Sequence, residues 1–347
     1  MIWPGLCRDG QPVKRSSALP GEFEIIARYF APLASKAPGA FGLLDDAAVI
    51  APGPRHELVV KTDAIVEGIH FLAGDPADLV GRKALRVNLS DLAAKGAVPR
   101  AYLLNLLLPE NVTENWIAGF ACGLERDQEE YGVYLIGGDT NATPGPLSVA
   151  VTALGEIPTG QMLRRSGAGV NDRIYVTGTI GDAALGLAIL QGTLPAPRAV
   201  DAAYLTGRYQ LPRPRVLLGP RLIGLASATA DISDGLVADL GHICDLSGVA
   251  AIVEAPSLPL SAAADALIGT MPELLATMIT GGDDYEILFT APQAAAEPLA
   301  ELARACDVPI TPVGRIVAPA ARPEGPVSVL GPDGRPMRLD SFGWTHF

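Results

Sequence analysis

The chain has 347 residues, 49% hydrophobic and 18% charged. That is a core-rich globular composition, and single cores seldom grow past about 250–300 residues, so two domains are expected. With 26 Lys and Arg against 38 Asp and Glu the formal net charge is −12, which argues against a nucleic-acid partner held through its phosphate backbone. No apolar run reaches the roughly 18–20 residues that span a bilayer, so no membrane partner is expected either. Residues 1–20 carry charges and prolines without an apolar core, and read as a disordered leader rather than a secretory signal. Cys7, Cys122, Cys244 and Cys306 are isolated, without zinc-like spacing, and read as buried thiols in a cytoplasmic protein.

In chain order, Gly21-Glu22-Phe23-Glu24 signals a first helix with Phe23, Ile26, Ala27 and Phe30 on one stripe. Strand-like runs follow at 47–50, 58–61, 102–108, 133–136 and 147–154. Between them Leu85, Leu89 and Leu92 mark a helix ended by Gly96 and Pro99. Asn88 and Asp91 share one face of it. A carboxylate in so apolar a stretch needs a partner: a metal ion, an N–H cluster or an arginine.

Turn chemistry at Ile157-Pro158-Thr159-Gly160 suggests a boundary, giving a leader over 1–20, an N-terminal domain over 21–158 and a C-terminal domain over 159–347. The second half reads as a strand at 173–177, a helix at 181–190 and a proline- and arginine-rich connection at 208–215. A helix striped by Leu236, Val237, Leu240 and Ile243 and a strand at 286–290 follow. Alternating strands and helices in both halves predict two α/β or α+β domains.

Four acidic segments read as tight turns beside apolar runs: Leu44-Asp45-Asp46, Gly137-Gly138-Asp139-Thr140, Asp231-Ile232-Ser233-Asp234-Gly235 and Gly281-Gly282-Asp283-Asp284. One Asp in a turn more often serves local hydrogen bonding. Four such segments suit hard divalent cations such as Mg²⁺, which take oxygen ligands and share them with nucleotide phosphates. No G-x-x-x-x-G-K-[ST] is present, which excludes a P-loop cradle.

Nine motifs fall in order: Gly21-Glu22-Phe23, Asp45-Asp46-Ala47-Ala48, Thr62-Asp63 with Glu67-Gly68-Ile69-His70-Phe71, and Asn88-Leu89-Ser90-Asp91-Leu92-Ala93-Ala94. Gly137-Gly138-Asp139-Thr140, Arg165-Ser166-Gly167, Asp231-Ile232-Ser233-Asp234-Gly235, Gly282-Asp283-Asp284-Tyr285-Glu286 and Gly343-Trp344-Thr345-His346-Phe347 complete the set. Together they resemble the thiamine-monophosphate kinases from about residue 21 to the last residue. The resemblance implies the aminoimidazole-ribonucleotide-synthetase fold: an N-terminal α/β domain binds ATP and Mg²⁺ and dimerises through its sheet, and a C-terminal α/β domain covers the ATP site. It implies a cytoplasmic homodimer, with ATP as co-substrate and several Mg²⁺ ions. The reaction would be in-line γ-phosphoryl transfer to thiamine monophosphate, giving thiamine diphosphate.

Carried over position by position, the resemblance makes Asp46, Thr62, Asp63, Asp91, Asp139, Asp231 and Asp234 metal ligands, with Asp45 orienting its neighbour. Tyr131, Gly138, Asp139, Arg165 and Ser233 would meet ATP, although Tyr131 reads equally as a core tyrosine. His70, Asp283 and Trp344 would meet the acceptor. A phosphate monoester needs no general base, so catalysis should be positioning and charge neutralisation, without an acid–base residue.

Three positions depart from the family pattern. Leu44 replaces the usual Gly, so the turn cannot rely on positive φ there. Asp283, often Glu in relatives, reaches one methylene less. Lys61 stands where Ser or Thr is common; its ammonium either replaces one cation, leaving one fewer Mg²⁺, or points away. The rival readings are a sister enzyme, selenophosphate-synthetase-like or hydrogenase-maturation-like, and a non-catalytic ATP-binding relative. Cys7 has no glycine-rich setting, and the motif from Gly343 to Phe347 holds no cysteine, which counts against the sister enzymes.

Overall fold

A computed structural model describes residues 19–195, 197–319 and 325–344. The expected leader lies, as far as residue 18, outside the described residues. The chain divides into two compact units, Met1–Leu92 with Val98–Pro158, and Ala93–Ala97 with Thr159–Phe347.

The first unit opens with α1 (Glu22–Ile25), which runs into a π-helical turn, Ile26–Phe30. The wider turn rotates the apolar face away from the expected stripe. Ile25, Tyr29 and Phe30 are buried, whereas Phe23 and Ala27 are exposed. Burial and a hydrogen bond to Glu114 push the Tyr29 hydroxyl up to about 12. Then come β1 (His56–Val66), α2 (Ala77–Ala94), β2 (Val98–Leu108), α3 (Glu114–Tyr131), β3 (Tyr134–Ala142) and β4 (Ser148–Pro158). They form a sheet in the order β1-β4-β2-β3, antiparallel except for the parallel β2–β3 pair. Pro99 sits inside β2, at the end of the strand, where the register with β4 shifts between Pro99 and Ala101. Such an irregularity tolerates the missing N–H.

Residues 47–50 are not a strand. Val49 is exposed and its N–H donates to the Gly39 carbonyl, so this run belongs to an irregular loop. Gly137 to Thr140, expected as a turn, lies within β3. Gly138 there has φ of +153°, and a Cβ would stand 1.8 Å from the Leu104 carbonyl oxygen of β2. Glycine is therefore demanded by strand contact before any phosphate is considered. Helices α2 and α3 are tied by a buried ion cluster. Asp127 accepts from Arg86 Nε (2.7 Å), Arg86 Nη2 (2.8 Å) and Arg82 Nε (2.7 Å).

The second unit contains β5 (Arg173–Thr177), α4 (Asp182–Leu190), α5 (Ala199–Gln210), β6 (Ala228–Asp231), α6 (Leu236–Ser247) and β7 (Ala250–Glu254). It continues with α7 (Ala262–Ile268), α8 (Leu274–Thr280), β8 (Ile287–Ala291), α9 (Ala296–Cys306), β9 (Ile310–Val317) and β10 (Val327–Leu330). The sheet order is β10-β7-β9-β5-β8-β6, with only β10–β7 parallel. The stripe of Leu236, Val237, Leu240 and Ile243 is buried with Ile174, Val176 and Ile316 in one core.

The arginine-rich stretch is more than a connection. Glu286, fully buried, accepts from Arg208 Nη2 (3.0 Å), Arg215 Nε (2.6 Å) and Thr177 Oγ1 (2.7 Å). Among the described residues Cys244 and Cys306 carry free thiols, Cys244 buried, while Cys7 lies outside the described residues. Among the described residues no helix is long and apolar enough to cross a membrane.

Candidate functional site

In the first unit, a cleft of about 370 Å³ is lined by Asp45, Asp46, Gly138 and Asp139, with Phe23, Phe30 and Leu44 as apolar wall. The three carboxylates reach it from two elements, the loop after α1 and strand β3. The positive φ barred at Leu44 is met upstream, at Phe41 (+50°), Gly42 (+68°) and Leu43 (+57°). Asp45 Oδ1 accepts from the Asp46 N–H at 2.8 Å, which fixes the turn that presents Asp46. Asp139 is exposed and receives the Asn141 side-chain amide.

A second carboxylate group in this unit is organised by Lys61. On β1, Val59, Lys61, Asp63 and Ile65 share the more buried face, and Val60, Thr62 and Ala64 the exposed one. Lys61 Nζ lies 3.1 Å from Asp63 Oδ1 and 3.0 Å from Asp91 Oδ2 of α2. Burial favours losing the Lys61 proton, but Asp91 and then Asp63 outweigh it and hold the pKa above the ordinary lysine value. Asp91 thus finds its partner in a lysine. Thr62 faces away from Asp63, its hydroxyl donating to the Val151 carbonyl and accepting from Thr152.

His70 stands in the turn after β1, where its Nδ1 accepts from the Val66 N–H at 3.1 Å. Tyr131, at the end of α3, has the Arg86 guanidinium 5.1 Å from its ring centre. One face of that ring is therefore already covered.

The second unit brings Asp231, Ser233, Asp234, Asp283 and Trp344 together at the entry to α6. The Asp283 N–H donates to the Ser233 carbonyl and the Trp344 N–H to the Asp234 carbonyl, both at 2.9 Å. A Cβ on Gly282 would stand 2.1 Å from the Ser233 carbonyl oxygen, so the two acidic loops meet only because that position is glycine. Tyr285 donates its hydroxyl to Asp283 Oδ1 at 3.0 Å, and Trp344 keeps 56% of its surface exposed.

Asp239 was not anticipated, although it follows Asp234 by five residues on α6. Its Oδ2 accepts from the Ser233 and Asp234 N–H groups at 3.0 and 3.1 Å, which shapes the loop. Its other oxygen is buried without a hydrogen-bond partner. Burial, then the Asp234 charge, push its carboxyl up to about 7, with Arg165 pulling the other way. Donor atoms of Asp234, Asp239 and His242 lie within 4.8 Å of one another.

Because Asp239 holds its proton more tightly folded than unfolded, its stabilising contribution is full below the ordinary pKa of 3.8 and is lost as pH rises to about 7. Asp239→Asn keeps an oxygen acceptor for both N–H groups and cannot ionise. Melting temperatures of the metal-free protein measured from pH 4 to 7.5 should fall less steeply for Asp239→Asn than for the wild type.

Residues 44–157 match the AIR synthase related protein N-terminal domain, and residues 169–322 match the C-terminal domain. Two such domains with carboxylate-rich loops define the class. The thiamine-monophosphate kinase of Salmonella typhimurium is 44% identical over 331 residues, covering 94% of this chain and 98% of its own. The crystal structure of the kinase of that name from Stenotrophomonas maltophilia K279a is 42% identical, with a TM-score of 0.80 over 90% of this chain and 96% of that one. AaThiL complexed with AMPPCP and TMP is 30% identical, with a TM-score of 0.74 over 94% and 97%. The chain belongs to the thiamine-monophosphate kinase family.

Proposed function

We infer that this chain transfers the γ-phosphoryl group of ATP to thiamine monophosphate, giving thiamine diphosphate. The observation that carries this reading is the 44% identity, over nearly the whole of both chains, to a thiamine-monophosphate kinase. A likeness to AaThiL complexed with AMPPCP and TMP supports the nucleotide and the acceptor.

Beyond that, we propose Mg²⁺ as the metal, because every donor in the acidic loops is a hard oxygen. In the first unit Asp46 and Asp139, exposed at the cleft, would hold one ion, and in the second unit Asp231 and Asp234, beside α6, would hold another. Bound there, Mg²⁺ would supply positive charge to offset the negative charge of the polyphosphate. The chain's own residues then orient the reactants. Ser233 and the start of α6 offer a hydroxyl and N–H groups to phosphate, Arg165 adds a fixed positive charge, and Gly138 leaves the cleft wall bare.

Asp283, held by Tyr285, would accept from the aminopyrimidine, and the exposed Trp344 indole would stack on a thiamine ring. His70, its Nδ1 engaged by the Val66 N–H, would present its other ring nitrogen. Tyr131 would offer adenine its remaining ring face. We also propose a homodimer built on the first unit's sheet, where Val60 stands 60% exposed on the edge strand β1.

Purified protein incubated with ATP, Mg²⁺ and thiamine monophosphate should form thiamine diphosphate, separated by chromatography. ATP binding without product would overturn the kinase reading in favour of a non-catalytic relative.

A further inference from the structure

We infer that Lys61 is a built-in cation of the carboxylate cluster, its ammonium standing between Asp63 and Asp91 in place of a divalent ion. The inference rests on the metal-assisted reading above and narrows it: two of the seven ligands that the resemblance implies already hold a cation that cannot dissociate.

The contacts at 3.1 Å to Asp63 Oδ1 and 3.0 Å to Asp91 Oδ2 are hydrogen-bonded ion pairs of ordinary length. They come from two elements, since Lys61 and Asp63 lie two apart on β1 and Asp91 projects from α2. A Mg²⁺ bridging the same two oxygens would need both within about 2.0–2.1 Å. It would therefore stand where the Lys61 nitrogen stands, and two cations at one point repel strongly.

The substitution also changes what this corner can do. An ammonium has three N–H donors and no ligand position to exchange. Two of the donors serve Asp63 and Asp91. Both carboxylates are thus placed and neutralised before any metal or nucleotide arrives, and the loaded protein carries one ion fewer.

The test counts metal rather than turnover. Mn²⁺ bound per chain would be measured by electron paramagnetic resonance, at saturating AMPPCP, for the wild type, Lys61→Thr, Lys61→Met and Lys61→Arg. Threonine and methionine both remove the charge, and only threonine adds an oxygen; arginine keeps the charge. The expected result is one additional Mn²⁺ in both Lys61→Thr and Lys61→Met, and the wild-type number in Lys61→Arg. Equal or lower counts in the uncharged variants would overturn the inference, as would a gain confined to Lys61→Thr, while the metal-assisted reading stands. No Mn²⁺ bound by any of the four would overturn both.

Discussion

Asp139→Asn is expected to lower kcat for thiamine diphosphate formation by roughly 10²–10³-fold, the scale seen when one group that stabilises transition-state charge is lost. The side chain lies at the cleft with Asp45 and Asp46, on a strand whose neighbour β2 fixes its backbone. Asparagine matches its shape and removes only the charge. Because Asp139 is exposed and its side-chain neighbour is Asn141, the fold should not notice. Exposed substitutions of this kind usually change stability by less than about 0.5 kcal/mol. Initial rates across a Mg²⁺ series, beside a calorimetric melt, separate the two effects. A wild-type rate at every Mg²⁺ concentration would remove Asp139 from the proposed clamp.

Glu286→Ala should be the most damaging single change to the second unit, at about 3–5 kcal/mol, as expected when one partner of a buried ion pair is removed. Glu286 is fully buried and Arg208 only 4% exposed, so the guanidinium would be left in the core without its counter-ion. Nothing nearby can replace it. Asp284 makes no ready substitute, because burial holds its carboxyl well above the usual range and favours the neutral form. Arg215 and the Thr177 hydroxyl would lose the same acceptor. Urea unfolding followed by circular dichroism measures the loss, and a change below about 1 kcal/mol would show that the cluster contributes little net stability.

Much of the second unit was legible because its elements obey single periodicities. β5 falls on the expected residues, and the α6 stripe is buried at every position named. The first unit misled in three places, each for a local reason. A π-helical turn, which no 3.6-residue stripe reveals, redirected the face of α1. The Gly137-Gly138 pair carries the composition of a turn, yet Gly138 answers the close approach of the Leu104 backbone on β2, more distant in sequence. The run at 47–50 has strand-like residues but no neighbouring strand to pair with.

The acidic positions of the site were visible as motifs, and the loops that gather Asp234, Asp283 and Trp344 could be anticipated only through resemblance. Two contributors were hidden. Asp239 looks like an ordinary helix surface residue until its two N–H contacts are seen. The direction in which Lys61 points depends on Asp91, thirty positions along the chain, a pairing that no local pattern encodes.

Asp283 and Tyr285 both hold positive φ, +69° and +51°, on either side of the buried Asp284. Side chains other than glycine, asparagine and aspartate are disfavoured there by roughly 1–2 kcal/mol, so the loop keeps Tyr285 against its own backbone preference. Tyr285 is only 8% exposed, and the packing its ring supplies outweighs that strain, so a mutant library screened for heat resistance alone would keep it and drift toward glycine at 283. At 283 that drift would trade away the proposed acceptor contact, so any selection on this loop has to be run on turnover and melting together.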